Sequence, residues 1–162
     1  MDEESLNDGL QVFQYEVLGH FILVGGHVVL DTNCLLMCVS PQSPYHKIWT
    51  EFVEGRVAWC VSTEILSEYM EILEQKTNAW FAEVVVNAIV NNENTIRVSP
   101  SFFFNLIQAD PDDNKFVDCA VCGNAEYIVS NDSHFRVLSE IDWPKLQLVT
   151  IQEYVKEIEN NV

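Results

Sequence analysis

Basic residues are scarce in this chain. Lysine and arginine number 8 among 162 residues, against 25 aspartates and glutamates, for a formal net charge of −17. So acidic a surface argues against nonspecific grip on nucleic acid or anionic membrane, because both need cations to displace counterions. It suits a protein that gathers carboxylates around cations, or one whose partner is basic. Membrane-length apolar runs are lacking as well. Residues 21–24 form the apolar core of a stretch far too short to span a bilayer, and the acidic residues 2–4 are wrong for the start of a signal peptide. A cytoplasmic protein with no membrane contact is expected.

The five cysteines form no regular framework, and an odd count in an acidic chain points to a reducing compartment. Cys119 and Cys122 make a C-x-x-C without a second pair, and packing is their expected role, as it is for Cys34 and Cys38. No G-x-x-x-x-G-K-[ST] or G-x-G-x-x-G occurs, which counts against nucleotide-binding α/β readings. No serine or cysteine triad is evident, and neither internal repeats nor low-complexity segments are present.

Apolar residues make up 48% of the chain, enough for one domain with its own core. Short β-branched runs alternate with amphipathic stretches. Strands are expected at 27–30, 57–61, 96–98, 126–129 and 146–149. Helices are expected at 34–39, 45–54, 63–75, 78–90, from 113 to about 123, 133–139 and 151–158. This alternation predicts a three-layer α/β/α fold with a mostly parallel central sheet. Residues 1–26 read as an N-terminal extension, in which 11–24 suits either a strand pair or an extra helix. The main domain spans 27–162. The run Phe102 to Phe104 suits a core plug or an interface equally well.

The stretch 109–120, ADPDDNKFVDCA, holds four aspartates, a proline turn and the start of a helix. At about 100° per residue, Asp113 falls on the apolar stripe of Phe116, Val117, Ala120 and Val121, while Asp112 and Asp118 point away from it. A carboxylate aimed along a core face is costly unless its charge is compensated. Taken alone, the stretch is better explained by a turn with a helix cap. Elsewhere two strands end in polar clusters, Asp31-Thr32-Asn33 and Ser130-Asn131-Asp132. On helix 63–75, Glu68 lies nearest the apolar face, and Glu64 and Glu71 lie further toward solvent. His134, alone on a short helix, is a weaker candidate for a base or ligand.

Ligands of open α/β sheets bind at the carboxyl ends of the strands. If the strands preceding Asp31 and Asp132 are neighbours, Asp31, Glu68, Asp113 and Asp132 reach one crevice. Four carboxylates so placed repel one another, and cations would neutralise them. All-oxygen ligation suits one or two Mg²⁺ or Mn²⁺ ions, which serve phosphodiester hydrolysis without a protein nucleophile.

The segments VVLDTN, STEILSEYMEIL, DPDDNKFVDCA and EYIVSND resemble, in order and spacing, the four motifs of PIN-domain ribonucleases, most closely the VapC-like toxins of toxin–antitoxin pairs. The resemblance runs from about His27 to Val155. It implies that Asp31, Glu68, Asp113 and Asp132 are the catalytic, metal-binding set, with Asn33 and Asn131 as supporting polar residues. Asp112 and Glu64 are the alternatives, displaced by one place and one turn. Mg²⁺- or Mn²⁺-dependent cleavage of RNA is the activity implied, and proteins of this kind often form homodimers and are inhibited by an antitoxin protein. Lys115 and Arg136 are the candidates for phosphate contacts. Serine in Ser130-Asn131-Asp132 stands where threonine is commoner.

Two other readings compete. The domain suits a binding module that keeps the acidic fold, is weakly active or inactive, and acts within a complex. A phosphatase with an aspartate nucleophile after the first strand would need a second aspartate two residues on, where this chain has Asn33.

Overall fold

A computed structural model describes residues 26–161. The expected extension therefore lies outside the described residues, apart from Gly26, together with the strand pair or helix considered for it.

Five strands form one parallel sheet in the order β3-β2-β1-β4-β5. They are β1 (His27–Leu30), β2 (Ala58–Val61), β3 (Thr95–Arg97), β4 (Tyr127–Val129) and β5 (Gln147–Val149). Six α-helices connect and cover them: α1 (Thr32–Val39), α2 (His46–Val53), α3 (Thr63–Lys76), α4 (Ala79–Asn91), α5 (Asn114–Cys122) and α6 (Ile151–Asn160). Two 3-10 helices, Pro111–Asp113 and Ser133–Glu140, complete the described residues. The expected layered α/β/α architecture is the one observed, with the sheet wholly parallel.

The strands are short and apolar because a parallel sheet is covered on both faces; all four residues of β2 are buried. Phe52 of α2 stacks on Trp59 of β2 with ring centroids 4.0 Å apart. Helix starts follow local polar chemistry: the side chains of Asp31, Ser62, Asn78 and Thr150 cap α1, α3, α4 and α6. Gly55, just past α2, takes the left-handed φ of +83° that a glycine accepts without strain.

The winding order positions the site. From β1 the chain builds outward through β2 to β3, then crosses back to lay β4 on the other side of β1. This makes the β1–β4 boundary a topological switch point, where the loops leave in opposite directions and open a crevice. Register sets Leu30 beside Val129. The next residues, Asp31 and Ser130, therefore emerge level with one another at the carboxyl edge, and the Asp31 amide donates to the Val129 carbonyl at 3.1 Å.

The helix expected at 133–139 is present as the 3-10 helix Ser133–Glu140. Two details differ from the sequence reading. Cys122 is exposed, so it does not share the packing role of the buried Cys34, Cys38, Cys60 and Cys119; it sits in the last turn of α5. The Phe102 to Phe104 run belongs to no regular element, and Phe102 and Phe103 are exposed and do not plug the core.

Candidate active site at the carboxyl edge of the sheet

Asp31 is 5% exposed and anchors the crevice. Its Oδ1 accepts the Cys34 amide at 2.7 Å, and its Oδ2 accepts a hydrogen bond from the Ser130 hydroxyl. Burial pushes the Asp31 carboxyl above the ordinary carboxylate range; the bonds from Ser130 and Cys34 pull it down, and the nearby charge of Asp132 pushes it up. The same Ser130 oxygen accepts the Asp132 amide at 3.0 Å, so one hydroxyl ties the two strand ends together. Asn131 faces the neighbouring helix, its Oδ1 accepting the Ile151 amide at 3.0 Å. Asn33 is exposed on the first turn of α1.

Asp113 closes the Pro111–Asp113 turn and leads into α5. Its Oδ2 is 3.5 Å from His134 Nδ1, which is 3.4 Å from Asp132 Oδ1. Both Asp113 Oδ2 and His134 Nδ1 are buried without a hydrogen-bond partner. Burial, with the charges of Asp110 and Asp132, pushes the Asp113 carboxyl up to about 6, against the opposing pull of His134. Asp110, Asp113 and His134 each bring a ligand atom within 4.8 Å of the others.

Glu68 enters from α3 and is held differently. Its Oε1 accepts the Thr32 hydroxyl at 2.5 Å, and its Oε2 pairs with Lys115. Lys115 also bonds Asp112 at 2.9 Å. Burial pulls the Lys115 ammonium down, but the bonds to Glu68 and Asp112 outweigh it and hold its pKa above the ordinary value. Arg136 is exposed on the second 3-10 helix.

The structure thus links Asp31, Asp113 and Asp132 through Ser130 and His134. Glu68 reaches the group only by way of Thr32, the residue after Asp31, and shares no hydrogen-bond partner with the other three carboxylates among the described residues. One site residue escaped the sequence reading and another was ranked low. Asp110 looked like one of several turn formers, and His134, alone on a short helix, was the weaker candidate for a base or ligand. What brings them in is the Asp132 cap, whose side chain accepts the His134 amide at 2.9 Å and turns the imidazole toward Asp113. A D-S-H run directly after a strand was the available signal.

Residues 27–134 match the PIN domain over two thirds of the chain. The chain belongs to the PIN-domain family. Several solved structures share its fold. VapBC2 of Rickettsia felis, solved bound to a DNA fragment from its promoter, superposes with a TM-score of 0.54 at 15% identity, over 76% of this chain and 98% of that one. DNA-bound VapBC of Salmonella typhimurium gives 0.53 at 15% identity, over 77% and 98%. VapBC-1 of nontypeable Haemophilus influenzae gives 0.53 at 12% identity, over 78% and 98%. No curated protein sequence matches significantly.

The donors of this PIN domain fit a divalent cation. Two partnerless buried polar atoms, Asp113 Oδ2 and His134 Nδ1, stand side by side, in a fold where such atoms are normally satisfied. Asp110, Asp113 and His134 bring together carboxylate oxygens of the hard kind that Mg²⁺ and Mn²⁺ take and an imidazole that suits a somewhat softer ion.

Proposed function

We propose that this PIN domain is a metal-dependent endoribonuclease of the toxin-like kind, hydrolysing RNA phosphodiesters at the crevice between β1 and β4. The observation that carries this is the convergence of Asp31, Asp113 and Asp132 on one partly buried edge, where Asp113 keeps an unsatisfied oxygen. A bound Mg²⁺ or Mn²⁺ ion supplies charge neutralisation and Lewis-acid activation of water at the phosphodiester. Asp31, Asp113 and Asp132 would hold it, with Glu68 joining once Lys115 turns away.

The chain's own residues prepare the rest. Ser130 and the Cys34 amide lock the Asp31 carboxylate in one orientation. Asp113 keeps one oxygen free of hydrogen bonds and so open to an ion. Lys115, once released from Glu68, is the first candidate for contact with a phosphate oxygen, and Arg136 is the second. Asn33 and Asn131 flank the carboxylates as supporting polar residues. By likeness to the VapBC pairs, an antitoxin protein is the proposed partner, with homodimerisation and action in the cytoplasm as part of the same reading.

The second reading, a binding module without cleavage, is favoured by one observation. Glu68 is already neutralised by Lys115, as in a site that needs no ion. A cleavage assay on single-stranded RNA with Mg²⁺, Mn²⁺ or EDTA separates the two. The nuclease reading expects metal-dependent cutting that Asp31→Asn and Asp113→Asn abolish while remaining folded. Cutting that survives in both variants refutes the site, and no cutting by wild type with either metal supports the binding module.

A further inference from the structure

An acidic nuclease has to hold RNA with few cations, and the loop between β3 and α5 offers another means. Phe102 is 68% exposed and Phe103 74% exposed, while every other phenylalanine among the described residues is buried or half-buried. Alternate residues of an extended segment face opposite sides, and these do. Phe102 and Phe104, centroids 6.5 Å apart, line a cavity of about 590 Å³ on one side of the loop. Phe103 lines another of about 300 Å³ on the other side. Trp143, 78% exposed, extends the first side with its ring 6.3 Å from Phe104.

The loop is held rigid. Asn114 accepts the Ile107 amide and donates to the Ile107 and Pro111 carbonyls, while Asp118 accepts the Phe104 amide at 3.0 Å. Two of the eight basic residues line the two cavities, Arg97 the larger and Lys115 the smaller. Lys115 also bonds Glu68, so the smaller cavity adjoins the carboxylate crevice.

We propose that the Phe102–Phe104 loop is a two-sided stacking platform that holds the unpaired bases of single-stranded RNA and leads the strand into the crevice. This deepens the ribonuclease reading and rests on it for the nature of the strand. Stacking needs no net positive charge, because every base has a π-face, and so it resolves the mismatch between an acidic protein and a polyanion. The rings are divided between two separate cavities, which suits individual bases better than the continuous apolar face a protein partner needs. Arg97 lines the larger cavity. In the smaller one Lys115 stands among Glu64, Asp112 and Asp118, so the smaller side must hold its base by stacking alone.

The test is fluorescence anisotropy of a labelled single-stranded RNA 12-mer of mixed sequence in EDTA, so that cleavage plays no part, with its duplex as comparison. Wild type is expected to favour the single strand. Phe102→Ala and Phe103→Ala, both at exposed positions that folding tolerates, should each weaken binding about tenfold, the loss of one stacked base. The salt dependence should be shallow, with a log–log slope near −0.7 for one phosphate contact, and should flatten in Arg97→Gln. Equal affinity of wild type and both phenylalanine variants overturns the platform, as does wild type that prefers duplex or binds no strand. Loss of self-association in the variants with RNA binding unchanged also overturns it, and makes the ridge a protein contact. If the platform fails while Asp113→Asn still abolishes metal-dependent cleavage, the nuclease reading stands without it. Ring-dependent binding by a protein that cuts nothing leaves the platform standing and removes the nuclease.

Discussion

Asp113 Oδ2 lies 3.5 Å from His134 Nδ1, and neither buried atom has a hydrogen-bond partner. Asp132 stands on the other side of the same imidazole, 3.4 Å away. Two carboxylates and a histidine are thus held together by the backbone turns that carry them and by the Asp132 cap on the His134 amide, not by bonds from the imidazole. Such an arrangement is costly in isolation. It becomes favourable when a cation or protons share the charge.

The pH dependence of stability follows from Asp113. Its carboxyl titrates near 6 in the folded protein, above the unfolded value of 3.8, so the native state binds the proton more tightly. Stability from this group is therefore greatest below about pH 4 and falls as pH rises to about 6. In EDTA, Asp113→Asn should become more stable relative to wild type across that window, by on the order of 2 kcal/mol at pH 7. Chemical denaturation at pH 4, 5, 6 and 7 checks it. A difference that does not vary with pH contradicts the assignment.

Ser130 joins the two strand ends, donating to Asp31 and accepting from the Asp132 amide. Ser130→Ala removes both bonds from a nearly solvent-free position and should cost about 1–3 kcal/mol. Urea unfolding measures this directly. A cost below a few tenths of a kcal/mol would mean that the two carboxylates are positioned without the hydroxyl.

Asn114 is the staple of the aspartate-rich turn, with three hydrogen bonds to Ile107 and Pro111. Asn114→Ala should destabilise the protein by about 3 kcal/mol, seen as a fall in Tm of roughly 6–12 °C. Because Asn114 neighbours Asp113, the variant should also lose metal response at temperatures where it is still folded. Retained stability would show that the turn holds its shape through Pro111 and backbone bonds alone.

The fold was legible because its signals are local and repeated. Buried β-branched runs ending in capping residues mark β1, β2 and β4, and Gly55 and Gly123 close two helices. The stripe containing Phe116, Val117 and Ala120 placed Asp113 correctly at the edge of the core, where it is partly buried. Asp118 faces away from that stripe, yet it is 4% exposed, because the loop carrying Phe104 folds over it. Loop coverage of that kind has no period in the sequence. The same reason hid Asp110 and left His134 a weaker candidate, since their roles depend on turns meeting in space. The pairing of Lys115 with Glu68 likewise joins residues 47 positions apart, and no spacing rule reaches so far.

Thermal unfolding with EDTA, Mg²⁺ or Mn²⁺, for wild type and Asp113→Asn, tests most directly whether the crevice is a cation site. Metal at a hundredfold over its dissociation constant adds about 2.7 kcal/mol to a protein that binds it only when folded. For a domain of this size that is roughly 5–11 °C in Tm. The predicted result is a rise of that order in wild type that disappears in Asp113→Asn. No rise in wild type at millimolar metal, or an equal rise in both proteins, would contradict the account.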